Sequence, residues 1–169
     1  MSPETIFRIH LILGYVACLL CFRVYVFPKL KSMDQVAAQR AIATLHSFRF
    51  FGLVFILPGV VGSNLPAGFA PFAAYWDLAT GVLAMLALAT VRVRPLFWLF
   101  VAAFNVVGTA DLIIDYYNAT QLDLPAIAGE LGSTYAIPII YVPLLMITHA
   151  VALYWLVRRE SWATVLTSP

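Results

Sequence analysis

The run LFWLFVAAFNVVGTADLIIDYY, residues 96–117, is apolar apart from a few positions, among them Asn105, Gly108, Asp111 and Asp115. A helix that crosses a bilayer needs about 20 mostly apolar residues, and this run is too long and too uniform for a strand. At about 100° per residue, those four positions fall within an arc of about 120°. Carboxylates are costly in hydrocarbon, so a stripe that carries two of them turns towards the interior of a helical bundle.

Four more stretches have the same length and character: residues 6–27, 41–61, 70–91 and 136–157. Residues 32–40 read as an amphipathic lead-in to the second of the five. The breaks are punctuated by FPKLKSMD, GSNLPAGFAP, RVRP and NATQLDLPAIAGELGST. The whole chain of 169 residues is 63% hydrophobic and 11% charged. Soluble domains carry about 45–50% apolar and about 25% charged residues, so the expected solvent is lipid. No ten-residue alternation suggests a barrel. The expected fold is all-α: a polytopic membrane protein with one transmembrane domain over residues 1–169.

Basic residues orient the bundle. Lys29, Lys31 and Arg40 lie between the first two spans, Arg92 and Arg94 between the third and fourth, and Arg158 and Arg159 after the fifth. The other two loops contain no Lys or Arg. With five spans, all basic loops share one side, which places the N-terminus outside and the C-terminus in the cytoplasm. Short loops and this pattern point to a bacterial inner membrane. The first span, whose apolar part is preceded by Glu4, Arg8 and His10 and which lacks a small-residue cleavage site, is expected to be retained. A net charge of +2 without a basic patch argues against nucleic acid as a partner. Aromatic pairs such as Tyr75–Trp76 and Phe97–Trp98 suit interfacial belts, and the Ala- and Gly-rich third span suits a central, closely packed helix.

Counting depth at about 1.5 Å per residue sorts the polar residues into two groups. The outer group holds His10, Asp77, Asn105 and Asp111 as candidate ligand-binding residues, with Arg8 near the surface. Asp115, beside Tyr116 and Tyr117, is expected to be a solvated boundary residue. The inner group holds His46 and Arg49, three apart on one helix face, and His149. Asp77 and Asp111 form either a structural polar clamp or a pocket for a cation or polar head group. Arg49 either snorkels to the interface or holds an anion.

No cofactor is predicted. His46 and His149, on different helices at similar depth, are the pair that would ligate a b-type haem if one were present. Adding Cys18 and Cys21 would make a Cys2His2 metal set, but membrane cysteines are commonly small hydrophobes, and no metal is expected. The NAT sequon at Asn118 abuts the membrane, and no phosphate loop, nucleophile elbow or HExxH occurs. Three functions compete. The first is a membrane protein whose buried polar pocket binds, carries or transforms a small lipophilic or amphipathic molecule. The second is a haem- or quinone-associated electron-transfer subunit, and the third is a structural or assembly subunit. An odd helix count and an apolar exterior suit a homo-oligomer or a larger membrane complex as well as a lone bundle in lipid.

Overall fold

The computed structural model describes residues 1–66 and 68–165, and among these the chain is all-helical. Helix α1 (Pro3–Cys21) continues through a π turn, Phe22–Val26, into α2 (Phe27–Lys31). The Ser2 hydroxyl caps its start by accepting from Thr5 N–H at 3.2 Å. Asp34 caps α3 (Gln35–Ser47) in the same way, accepting from Ala37 N–H at 2.9 Å. After α3 come a 3₁₀ segment (Phe48–Ile56), α4 (Phe69–Ala89) and α5 (Arg94–Gln121). Broken 3₁₀ turns over Leu124–Tyr135 and a π turn over Ile137–Tyr141 then lead into α6 (Val142–Val165).

Four segments are long and apolar enough to cross a membrane: Pro3–Lys31, Phe69–Ala89, Arg94–Gln121 and Ile137–Arg158. Each matches an expected span to within a few residues. Most apolar side chains of α1 face outward, with only Phe7 buried. An exterior of this kind is compatible with a multi-pass membrane protein.

The expected span over 41–61 is built differently from the others. The α-helix stops at Ser47, and a nine-residue 3₁₀ segment carries the chain to Ile56. Runs of 3₁₀ beyond three or four residues are uncommon, and here the burial pattern supplies the reason. In α3 the buried set, Ala38, Gln39, Ile42, Ala43 and His46, follows the α-helical period. Beyond it the buried residues are Arg49, Gly52 and Phe55, spaced by three. With about 3.0 residues per turn these three stand in one straight row, whereas an α-helix would rotate the row by about 60° at each step. That row lies against α4. Antiparallel pairing is set by Phe50 beside Gly81, Gly52 beside Asp77 and Phe55 against Phe69.

The loop expected after the fourth span is also more ordered than its composition suggests. Helix α5 runs on to Gln121, Asp123 turns the chain at φ 48°, and the 3₁₀ turns that follow fold into a cap. Gly62 N–H donates to the Glu130 carbonyl at 2.7 Å, and Asn64 donates its backbone and side-chain N–H groups to the Glu130 carboxylate at 3.2 and 3.1 Å. Gly132, at φ +52°, passes the carbonyl of Val60 so closely that no Cβ would fit.

Two apolar clusters fill the bundle. One gathers Ile42, Ala43, Ala84, Phe97, Val101 and Phe104, and the other Phe7, Phe55, Phe69, Leu124 and Leu131. The polar residues of α4, α5 and the α3–3₁₀ rod lie in sequence between the two clusters. Helix α4 touches both neighbouring rods, and its buried face is largely small: Ala73, Ala74, Thr80, Gly81, Ala84 and Ala87.

Candidate functional site

Arg49 is fully buried and does not snorkel. Its guanidinium has five N–H donors in a planar fork, and four hydrogen bonds and a further ion-pair contact engage it. Nε donates to Asp77 Oδ1 at 2.6 Å, and Nη2 reaches the same oxygen at 2.5 Å. Nη2 donates to Asp111 Oδ2. Nη1 donates to the Gly108 carbonyl and to His149 Nε2, both at 3.3 Å. One side chain from the 3₁₀ segment therefore ties together α4, α5 and α6.

The histidines take tautomers that the network dictates. Asn105 Nδ2 donates to the Val101 carbonyl at 2.8 Å, so its Oδ1 accepts from His149 Nδ1–H at 2.9 Å. His149 Nε2 is then the lone pair facing Arg49. The Thr148 hydroxyl donates to the backbone carbonyls of Leu144 and Leu145 at 2.9 and 3.0 Å, which leaves its oxygen to accept His46 Nε2–H at 3.0 Å.

Glycines make room for this cluster. A Cβ on Gly108 would stand 2.6 Å from both Arg49 Nη1 and His149 Nε2, and the Asp77 carboxylate fills the space that a Cβ on Gly52 would need. Gly108 lies on the α5 stripe, and the notch it forms is where the arginine enters.

The two groups separated by depth counting are thus one network, apart from His10. Arg49, Asp77, Asn105, Asp111 and His149 are joined by hydrogen bonds, and His46 packs on His149. Counting Cα depth misses this because a long arginine side chain reaches along the bundle as well as across it. His10 is exposed and bonds through Nδ1 to the Tyr135 hydroxyl at 3.0 Å. Asp115 is half-buried, and its Oδ1 is enclosed without a partner among the described residues.

Beside the network lies a cavity of about 120 Å³. Its wall is mostly apolar, from Phe7, Phe55, Phe69, Leu112, Leu131 and Leu145, and is interrupted by Asp77, Asp115 and Tyr141. Asp77 spends Oδ1 on Arg49, and its Oδ2 packs against Gly52, without a hydrogen bond among the described residues. The Tyr141 hydroxyl, like Asp115 Oδ1, has no partner among the described residues. Ile137 and Tyr141 also line an exposed apolar groove with Phe48, Phe50 and Phe51. Tyr141 and Thr148 were not singled out from the sequence. The spacing of Tyr141, Leu145, Thr148 and His149 at i, i+4, i+7 and i+8 is the signal that places them on one face.

A family model matches residues 6–157, a range that takes in every member of the network. The chain belongs to the family described as domain of unknown function DUF8737. No curated protein and no solved structure matches it.

The His46 and His149 rings lie in contact, with centroids 3.9 Å apart. Axial ligation of a haem requires the iron and its macrocycle between two imidazoles, and this pair leaves no room for them. Cys18 directs its sulfur to the Ile140 carbonyl at 3.7 Å, while Cys21 is exposed. Among the described residues no group of three or more His, Cys, Asp or Glu side chains is placed to hold a metal ion.

Proposed function

We propose that this protein is a five-span protein of a bacterial inner membrane that binds a small lipophilic or amphipathic molecule in the cavity between α1, α4, α5 and α6, and that carries or transforms it there. One observation carries this reading: an apolar chamber of about 120 Å³ is lined by the buried carboxylate of Asp77 and by Asp115 and Tyr141, whose enclosed oxygens have no partner among the described residues. Apolar pockets with a few convergent polar groups are the usual form of small-molecule sites. The groove that shares Ile137 and Tyr141 with the cavity suits a molecule that arrives from the lipid phase.

The fifth span in this reading is α3 with its 3₁₀ continuation. Thirteen α-helical and nine 3₁₀ residues extend roughly 37 Å at rises of about 1.5 and 2.0 Å, against about 30 Å of hydrocarbon. The rod also runs antiparallel to α4, as a neighbouring span would. The N-terminus then lies outside, and Lys29, Lys31, Arg40, Arg92, Arg94 and Arg158 gather on the cytoplasmic side; the Arg159 side chain lies outside the described residues.

The Arg49 clamp takes the structural role, and the cavity beside it takes the binding role. Native mass spectrometry of the full chain, released from membranes in mild detergent, tests the assignment. A retained small molecule is expected in the native protein and absent in Ala119→Phe, which fills the cavity from α5. Equal masses for both proteins, with nothing retained by either, would count against a binding function.

A further inference from the structure

The cavity wall carries two carboxylates, Asp77 and Asp115, and no cationic side chain among the described residues. Arg49 is already committed to Asp77, Asp111, Gly108 and His149. The Thr120 hydroxyl donates to the Tyr116 carbonyl at 2.8 Å, and the Tyr116 hydroxyl is paired with that of Tyr15 at 2.8 Å. Asp115 Oδ1 and the Tyr141 hydroxyl remain without a partner among the described residues, beside the Asp77 carboxylate. The charges are unequal in the same sense. Asp77, Asp111 and Asp115 stand against one guanidinium, so with all three ionised two negative charges are left over. A ligand that brings hydrogen-bond donors and positive charge suits the two carboxylates, whereas an anion would be repelled by both. Protons alone would balance the charge, but they need no chamber, and this one is lined by Phe7, Phe55, Phe69 and Leu131.

The geometry points to a small organic cation as the ligand, a protonated amine whose ammonium head binds the carboxylates of Asp77 and Asp115 and whose apolar body fills the chamber. This assignment rests on the cavity being the binding site and names what enters it. The size fits a short chain, since an apolar cavity of about 150 Å³ in another protein holds benzene. An alkylamine carries its proton at neutral pH, as a lysine does with a pKa of about 10.4. Its ammonium has three N–H donors, enough for both carboxylates and the tyrosine oxygen.

Three probes of one length separate the possibilities: n-butylamine, n-butanol and butyrate, titrated at pH 7 into the full chain in a neutral detergent, with heat and melting temperature both recorded. Butylamine is expected to bind and to raise the melting temperature with concentration. Butanol is expected to bind about 10- to 100-fold more weakly, which is what losing a charge-assisted hydrogen bond represents. Butyrate is expected not to bind. Asp115→Asn should weaken butylamine by a similar factor while the unliganded protein melts as before, because Asp115 takes no part in the Arg49 clamp. Asp77→Asn should also weaken it, but disturbs the clamp, so Asp115 is the decisive position. Butanol binding as tightly as butylamine, or Asp115→Asn binding it undiminished, would overturn the cationic assignment and leave the cavity as a binding site. If none of the three probes binds and Ala119→Phe melts and retains mass like the native protein, the binding function falls with it.

Discussion

Arg49 and Asp77 are joined through both Nε and Nη2 of the guanidinium to the single oxygen Oδ1, at 2.6 and 2.5 Å. Oδ2 of the same carboxylate packs against Gly52, and Asp77 also lines the cavity, so one residue serves the scaffold and the chamber. The second aspartate, Asp111, completes the fork from α5.

Arg49→Met removes the positive charge between two buried carboxylates. The expected cost is about 3–5 kcal/mol, the usual consequence of breaking a buried pair on one side. Arg49→Lys is expected to recover little, because an ammonium lacks the planar five-donor fork. Unfolding of the detergent-solubilised chain measures both, and a methionine variant as stable as the native protein would show that the clamp does not hold the helices.

Gly108→Ala places a methyl group 2.6 Å from Arg49 Nη1 and His149 Nε2, both fixed by other bonds. Overpacking of this kind costs about 1–3 kcal/mol. Gly129→Ala is the control, since a Cβ there meets nothing within 4 Å. Equal melting temperatures for the two variants would contradict the close approach at Gly108.

Nitrogen-15 spectra of the imidazoles should show His149 protonated on Nδ1 and His46 on Nε2, as their acceptors, Asn105 Oδ1 and Thr148 Oγ1, require. Asn105→Leu leaves the His149 donor buried and unpaired. A loss of about 1–3 kcal/mol is expected together with a changed His149 signal. The opposite tautomers in the native chain would refute the hydrogen-bond order drawn from Val101 to Arg49.

Single cysteines at the exposed positions Ser32 and Ser63, in a chain whose Cys18 and Cys21 are replaced by alanine, report the topology. If the α3–3₁₀ rod crosses, a membrane-impermeant thiol reagent applied to intact cells labels Ser63→Cys and spares Ser32→Cys. Labelling of both, or of neither, would place the two loops on one side and reduce the crossing segments to four.

Glu130→Ala frees the Gly62–Asn64 turn from its side-chain acceptors while keeping the carbonyl bond to Gly62. The bonds are exposed, so the stability cost should be about 1 kcal/mol or less. Faster amide exchange at Asn64 than in the native chain is the expected signature, with Gly62 changing less.

Hydropathy and period alone place α1, α4, α5 and α6, because a run of about 20 apolar residues has few alternatives to a helix in lipid. The α5 stripe of Asn105, Gly108 and Asp111 was equally legible: its period is local, and all three residues are buried. Composition also exposed the small-residue face of α4. The 3₁₀ form of Phe48–Ile56 was not legible, since apolar residues surround Arg49, Gly52 and Phe55 on every side of that run. Only the fit against α4 selects that row. Nor does Cα depth reveal that Arg49 bridges what counting divided into outer and inner groups, or that His10 turns away to Tyr135. Position in the sequence makes Asp115 look like a boundary residue, yet the cap over Leu124–Tyr135 helps to enclose the chamber it lines. Helix formation answers to neighbours a turn away in the chain. The site depends on side chains separated by 28, 62 and 100 residues meeting at one guanidinium, and long-range packing alone brings them there.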